Sequence, residues 1–258
     1  RTLNAHALVA AERRRIHLRV ANQLDHPDGP MVALDLSNDT GEMVEITRDG
    51  WTVVDGMWHA FRRTSGGAAL PRPERPEDPP AALDVLRSLL GLAPGPDWIR
   101  CLVWLVNALW PEGPYPIPTL TGPPASGKST AARLLRGLVD PSSAPLFLLP
   151  LAERWLFNYA YHSWVVAFDH VSRIPWRIVQ ALSALSTGGG LELPRQYDNA
   201  DARRITIQRP VILTIPQSAR LALPEEIAGR ALSVAMPPRL PRHCRPDEHV
   251  RRDFETHR

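Results

Sequence analysis

Polar and apolar residues alternate along four short segments near the N-terminus, over residues 15–22, 31–38, 43–50 and 51–56. Asn, Asp and Gly separate these segments. A period of two is typical of half-buried β-strands, and the separating residues favour tight turns. We therefore predict a small β-rich module over residues 1–65.

Proline and glycine interrupt this pattern over residues 66–80, where apolar residues show no periodicity. Such a composition predicts a linker. Past it, residues 81–92 and 97–110 carry Leu, Ile, Val and Trp at spacings of three and four, which predicts two amphipathic helices. We expect both helices to pack against the domain that follows.

From residue 117 onward, predicted strands and helices alternate. The predicted strands lie at 117–122, 144–150, 164–170, 211–216 and 231–236, and helices separate them at 129–139, 151–162, 174–185 and 224–230. Nearly continuous apolar strands that alternate with helices indicate a parallel sheet covered on both faces. The predicted fold class is α/β, a three-layer core that spans residues 81–240 with its two leading helices. Residues 241–258 predict the start of a further helix that is cut off.

Composition narrows the function classes. With 258 residues and 44% hydrophobic content, the chain is long enough for one such domain and a smaller module. No apolar run reaches the roughly 18 residues of a membrane span and no signal-peptide pattern opens the chain, so we expect a cytoplasmic protein without a membrane partner. Cys101 and Cys244 lack metal-ligand spacing and are expected to be reduced. A net charge of +3 does not by itself favour a nucleic-acid partner.

The strongest chemical motif lies between the predicted strand at 117–122 and the helix at 129–139. It consists of Gly122, Pro123, Pro124, Ala125, Ser126, Gly127, Lys128, Ser129 and Thr130, and it matches the G-x-x-x-x-G-K-[ST] pattern of a nucleotide-binding P-loop. In such a loop, backbone N–H groups and the helix N-terminus face the phosphates of ATP, Lys128 reaches the β and γ oxygens, and the Ser129 hydroxyl coordinates Mg²⁺. Lys128 is the single lysine among 30 basic residues. We interpret this as a chemical requirement, because a compact ammonium fits between phosphates where a broad guanidinium does not.

A second candidate lies about forty residues further on. Residues 164–168 are apolar and lead into Asp169, the form of a Walker B strand. At the carboxyl end of a buried parallel strand, Asp169 can bind Mg²⁺ directly or through water. A turn-capping aspartate is the alternative. The next residue is His170 rather than a second acid, so the identity of the catalytic base stays open.

Residues 189–209 predict a hairpin inserted before the strand at 211–216. Two β-prone runs flank residues 198–201, and three arginines, Arg195, Arg203 and Arg204, would crowd the hairpin. A basic protrusion of this kind can contact nucleic-acid phosphates without reading sequence. A solvated surface hairpin explains the same residues.

Two further positions are candidates for catalysis. Thr214, at the end of a predicted strand, could sense the γ-phosphate or orient water, and a plain buried threonine is the alternative. Arg230 precedes the last predicted strand, where in a ring of subunits an arginine finger would reach the neighbour's γ-phosphate. The alternative is an arginine that satisfies carbonyls at a helix C-terminus.

Together these motifs resemble the AAA+ ATPases, and within them the helicase-like part of phage and plasmid primase-helicases, which is related to the superfamily 3 helicases. The likeness covers residues 80–240: GPPASGKST is close to the GPPGxGK[ST] form of that class, and residues 169–190, the hairpin, 209–213 and 229–238 follow in the order of that branch. The resemblance implies a P-loop ATPase core with ATP and Mg²⁺ as cofactors. It also implies a homo-oligomeric, hexameric ring, DNA gripped by a pore-lining hairpin, and a primase or other replication partner.

Three functions fit these features. An oligomeric ATPase that moves along DNA in mobile-element replication accounts for the P-loop, the hairpin and Arg230. A non-hydrolysing, ATP-dependent switch or scaffold accounts for His170 and Thr214, which replace asparagines usual in that branch, so ATP binding is better supported than turnover. A small-molecule P-loop kinase would need an acceptor site that nothing in the sequence supplies, although the arginines between residues 239 and 245 could mimic a lid.

Overall fold

The computed structural model describes residues 16–23, 29–56, 60–195, 198–219, 221–238 and 246–258. The strands are β1 (Ile16–His17), β2 (Val20–Gln23), β3 (Met31–Asp35), β4 (Glu42–Thr47), β5 (Gly50–Asp55), β6 (Ala60–Phe61), β7 (Ile117–Gly122), β8 (Phe147–Leu148), β9 (Val166–Asp169), β10 (Gly189–Arg195), β11 (Asp198–Ile207), β12 (Val211–Pro216) and β13 (Ala231–Ala235). The α-helices are α1 (Pro79–Leu90), α2 (Pro96–Ala108), α3 (Lys128–Val139), α4 (Glu153–His162), α5 (Trp176–Thr187), α6 (Glu225–Ala228) and α7 (Asp247–His257).

Five parallel strands form the central sheet in the order β13-β7-β12-β9-β8. Its strands are mostly apolar, as is typical of a parallel sheet that helices cover on both faces. On one face, Ile212 of β12 packs into a cluster with α2 and α3, and on the other face its neighbours Val211 and Leu213 pack with α4 and α5. This arrangement confirms the predicted three-layer α/β class with a parallel sheet of the P-loop type, preceded by a small β-rich part.

The β-rich part is an antiparallel sheet in the order β2-β3-β4-β5, and a parallel pair joins β1 to β6. The sequence predicts one continuous strand over residues 15–22, but the chain bends at Leu18 and Arg19 and divides it into β1 and β2. The bend accompanies burial of the Arg19 side chain, whose Nε donates to Asp140 Oδ1 at 3.2 Å. This buried ion pair connects the β-rich part to the core.

The segment between β6 and α1 carries no regular helix or strand, yet it contacts both parts of the structure. Ala68 N donates to Pro141 O at 2.9 Å, Leu70 N donates to Leu36 O at 2.7 Å, and the Leu70 side chain is buried. The predicted linker is therefore packed along its first half. Within the described residues, no helix is long and apolar enough to cross a membrane.

Two further elements lie next to the central sheet and its helices. The hairpin formed by β10 and β11 lies between α5 and β12, where the sequence predicts it, and forms a two-stranded sheet of its own. Helix α7 packs against α1 and α3 through the buried side chains of Val250 and Phe254.

Cys101 is buried in α2, and this burial, with Asp97 nearby, raises its pKa to about 12, while Cys244 lies outside the described residues.

Candidate nucleotide-binding site

The P-loop joins the end of β7 to the start of α3, and its backbone is shaped to receive an anion. Ala125 and Gly127 have positive φ angles of 59° and 86°, so the loop curls back before α3 begins at Lys128. A side chain at Gly122 would lie 2.6 Å from Met236 O, which explains the glycine there. The loop lines a cavity of about 590 Å³ at the N-terminus of α3, the end of a helix that favours negative charge.

The ammonium of Lys128 lies inside the loop. Its Nζ donates to Pro123 O at 2.7 Å, to Gly122 O at 3.0 Å and to Ser126 Oγ at 3.3 Å. Burial lowers the pKa of Lys128, and the Asp169 carboxylate opposes that shift. These contacts are with neutral groups, so phosphate oxygens entering the cavity can replace them with stronger charge-assisted bonds.

Asp169, at the end of β9, receives hydrogen bonds from three side chains. Ser129 Oγ donates to Asp169 Oδ1 at 2.8 Å, and Thr214 Oγ1 donates to the same oxygen at 2.5 Å. His170 Nδ1 lies 2.9 Å from Oδ2. Burial alone raises the pKa of Asp169, but the hydrogen bonds from Thr214, Ser129 and His170 outweigh burial and hold it below its ordinary value. The structure thus brings Lys128, Ser129 and Asp169 together at one site.

Thr214 is buried and His170 is exposed, and both lie beside this carboxylate. Thr214 is buried in β12, next to β9 in the sheet, and its Oγ1 also accepts from His170 N at 2.9 Å. The Thr214 hydroxyl therefore contacts Asp169 and the backbone rather than the cavity. His170 has a positive φ of 56°, and its exposed ring lines the cavity.

The residues of the site fit ATP with magnesium. In the part of the chain that the structure describes, no group of three or more His, Cys, Asp or Glu side chains could hold a metal alone. The Ser129 hydroxyl and the Asp169 carboxylate instead offer two adjacent oxygen ligands beside a phosphate-binding loop. Mg²⁺ is commonly bound in this way, through one or two protein oxygens together with substrate phosphates and water.

The C-terminal helix contributes residues that sequence reasoning missed. Asp247 and Val250 of α7 line the cavity, together with Pro216 and Ser218 after β12. Thr130 Oγ1 donates to Asp247 Oδ1 at 2.7 Å. Because Thr130 and Asp247 are 117 positions apart, no local pattern could place them together.

Arg230 lies far from the P-loop of its own chain. It precedes β13, and its carbonyl accepts from Ile117 N at the first residue of β7, whereas the P-loop follows the last residue of that strand. The six residues of β7 separate the two ends by about 20 Å at the usual rise of a strand. Arg230 Nη1 donates to Glu226 O at 2.6 Å, the helix-end contact weighed above as the alternative.

The predicted nucleic-acid contacts fall on the hairpin. Arg203 pairs with Leu193, Arg204 pairs with Glu192 and Arg195 pairs with Asp198 across β10 and β11. The side chains of the three arginines lie outside the described part of the structure.

Several solved structures resemble the chain distantly. They include a JCV helicase (16% identity, TM-score 0.42, 61% of this chain and 45% of that chain), the C-terminal region of NrS-1 (11%, 0.47, 84% and 62%) and a full-length MCM homolog from Methanopyrus kandleri (16%, 0.40, 92% and 57%). This chain thus spans 45% to 62% of the length of these structures. No curated protein matches it.

A protein-family model matches residues 83–256, which are 174 of the 258 residues of the chain. The match begins in α1, ends in α7 and includes the P-loop, Asp169 and Asp247. It confirms the coarser part of the resemblance, a replication protein of a mobile element. The chain belongs to the family of actinomycete integrative conjugative element replication proteins.

Proposed function

We propose that this chain is an ATP-hydrolysing motor of helicase or translocase type that acts on DNA during replication of its conjugative element. The observation that carries the proposal is that Lys128 and Ser129 line a cavity at the C-terminal edge of a parallel sheet and that Ser129 donates to Asp169 beside it. Membership of a replication-protein family supports DNA as the working substrate. Residues 81–240 would form the ATPase domain and residues 1–65 an accessory module.

In this proposal each residue of the site has a separate task. The P-loop N–H groups and Lys128 would bind the phosphates, and Ser129 and Asp169 would hold magnesium, which would supply positive charge beside the phosphates. Thr214 fixes the carboxylate of Asp169 through its hydrogen bond. His170 lines the cavity beside Asp169 and would orient the attacking water.

DNA contact and oligomerisation complete the proposal. The hairpin, with Arg195, Arg203 and Arg204 in its strands, would contact the DNA backbone, and such contacts weaken as salt rises. Arg230 lies about 20 Å from its own P-loop, a separation derived from the length of β7, so it would serve only a neighbouring copy. We propose a homo-oligomer, a hexameric ring, that works with a primase or another replication partner.

Phosphate release from ATP tests the proposal. We expect Mg²⁺-dependent turnover that single-stranded or double-stranded DNA stimulates, and a loss of about 100-fold or more in Lys128→Ala. Arg48→Ala is the matched control, because it removes one positive charge from an exposed turn of the β-rich part. Lys128→Arg keeps the charge but is expected to stay inactive, because the guanidinium does not fit the loop.

The proposed contact between the hairpin and DNA is tested separately with the triple variant Arg195→Ala, Arg203→Ala and Arg204→Ala. We expect its DNA-free turnover to persist and its stimulation by DNA to disappear. Wild-type turnover that ignores DNA, from a particle that stays monomeric with ATP and DNA, would contradict the motor.

A non-hydrolysing ATP-dependent switch is the second candidate. The specific observation in its favour is that the Thr214 hydroxyl is engaged by Asp169 and by His170 N, so it does not face the cavity. Tight ATP binding without multiple-turnover phosphate release would select the switch. Turnover that Lys128→Ala abolishes would exclude it.

A further inference from the structure

Helix α2 is apolar on its outer face as well as on its inner face. Cys101, Trp104, Leu105 and Ala108 are buried against the core, while Ile99, Val103 and Val106 on the opposite side of the helix, and Trp110 just after its end, are 47% to 72% exposed. We call these four exposed residues the apolar stripe. A helix with apolar residues on two opposite faces normally has both faces covered, so the stripe indicates a missing partner.

A second apolar surface lies at the other edge of the central sheet. Leu148, Leu151 and Trp155, from the end of β8 to the start of α4, are 51% to 84% exposed, and we call them the edge patch. Leu148 pairs with Asp169 across β8 and β9. The edge patch is therefore one strand away from the candidate magnesium ligand.

The two apolar surfaces flank opposite edges of one sheet. Helix α2 packs against β13, the edge strand at one side, and the edge patch begins in β8, the edge strand at the other side. Arg230, just before β13, lies on the same side as the apolar stripe. One side of the molecule thus carries an apolar surface together with Arg230, and the other side carries an apolar surface one strand away from Asp169.

We propose that the apolar stripe of one copy docks on the edge patch of the next copy, head to tail, so that Arg230 approaches the neighbour's nucleotide. The proposal rests on the motor function above and names the surfaces of its assembly. A symmetric contact of stripe on stripe, or of patch on patch, would cover only one of the two surfaces. A head-to-tail contact covers both surfaces at every interface and continues from copy to copy, as a ring requires.

The sizes of the two surfaces agree with this assignment. Each presents three or four large apolar side chains that are about half exposed or more, and monomers seldom expose large contiguous apolar patches without function. A standard interface buries roughly 800 Å² on each partner, with an apolar centre and a polar rim. Three or four side chains are too few to make such an interface alone, so each surface supplies the apolar centre of a larger contact.

Assembly of the full chain with Mg²⁺ and ATP tests the contact. Val106→Glu places a charge in the stripe and Leu151→Glu places one in the edge patch. We expect the wild type to form particles larger than a dimer by sedimentation velocity and each variant to remain monomeric. Leu83→Glu is the control, an exposed leucine of α1 outside both surfaces, and it should assemble as the wild type does.

Mixing the two variants separates the head-to-tail contact from symmetric ones. The Leu151→Glu copy keeps its stripe and the Val106→Glu copy keeps its edge patch, so an equimolar mixture should form dimers and nothing larger. In that dimer Arg230 comes from the Leu151→Glu copy and the working P-loop from the Val106→Glu copy. Adding Arg230→Ala to the Leu151→Glu copy should lower the restored turnover by about 10³-fold. Adding it to the Val106→Glu copy should leave turnover unchanged.

Several outcomes would overturn the contact. They are a monomeric wild type, a Leu151→Glu or Val106→Glu variant that assembles normally, and a mixture that stays monomeric. If the wild type assembles and the mixture forms dimers but no sample releases phosphate, the contact stands and the motor function fails. Mass and turnover therefore report on the two proposals independently.

Discussion

Helix α3 has an aspartate beside each end, and the two carboxylates have different partners. Asp140, at the C-terminal end, accepts from Arg19 Nε and from the backbone N–H groups of Trp164 and Val165 at 2.8 and 3.0 Å. Asp169, near the N-terminal end, accepts from hydroxyl groups and a histidine beside an open cavity. A carboxylate held by backbone and a buried guanidinium is fixed, whereas one held by hydroxyls can exchange partners for a metal.

The same contrast distinguishes what each end of α3 connects. The C-terminal end is joined to the β-rich part through Arg19, whose other nitrogens donate to Asp35 O and Ala68 O at 3.1 and 3.0 Å. The N-terminal end is joined to α7 through the exposed pair of Thr130 and Asp247. We infer that the C-terminal end anchors the helix and that the N-terminal end is free to respond to ligand.

The largest expected effect lies at the anchored end. Arg19→Ala removes the closer of the two buried guanidinium groups beside Asp140 and leaves Arg136 at 4.0 Å, so we expect the free energy of unfolding to fall by about 3–5 kcal/mol. Urea denaturation followed by circular dichroism measures this change. Arg63→Ala is the control, because Arg63 is half exposed and its pairing with Asp35 should contribute less than about 1 kcal/mol. Equal effects of the two variants would show that Asp140 does not depend on Arg19.

Asp169→Asn tests the N-terminal end of α3, where the carboxylate can exchange its hydroxyl partners for a metal. Its depressed pKa keeps Asp169 ionised at neutral pH, so the amide should weaken magnesium binding and lower ATP turnover about 100-fold, or about 2.7 kcal/mol in the barrier. Stability should change little. Asp140→Asn is the matched control and should do the reverse, with lower stability and normal turnover per folded molecule. If Asp169→Asn turned over ATP normally, Asp169 would be no magnesium ligand.

The contrast between the two ends also explains what could be predicted from the sequence. The P-loop, the sheet and Asp169 follow from local patterns, since a loop of fixed spacing and an apolar strand each carry their own signal. The pairs of Arg19 with Asp140 and Thr130 with Asp247 join residues 121 and 117 positions apart, and no periodicity reports such contacts. The bend at Arg19 was missed for the same reason, because burial of its side chain is a tertiary effect.

Thr214→Val measures how far the orientation of Asp169 matters. Valine keeps the shape of threonine but removes the hydroxyl that donates to Asp169 and accepts from His170 N. We expect turnover to fall about tenfold, or about 1.4 kcal/mol, with ATP affinity nearly unchanged. Thr214→Ser should recover most of the rate. A serine variant as slow as the valine variant would indicate that packing, rather than the hydrogen bond, is what Thr214 provides.

The smallest expected effect lies where α7 contacts the N-terminal end of α3. Asp247 bonds Thr130 at the cavity and pairs with Arg133 at 3.1 Å in an exposed position, so Asp247→Asn should change stability by less than about 1 kcal/mol. Because its carboxylate lines a cavity that would hold phosphates, we expect its removal to tighten ATP binding by about two- to fivefold, measured by calorimetry. Glu248→Gln, the next residue of α7 and outside the cavity lining, should leave affinity unchanged. Weaker binding in Asp247→Asn would instead mean that the carboxylate accepts a hydrogen bond from the nucleotide. Helix α7 would then contribute a favourable contact to the site rather than a charge that repels the phosphates.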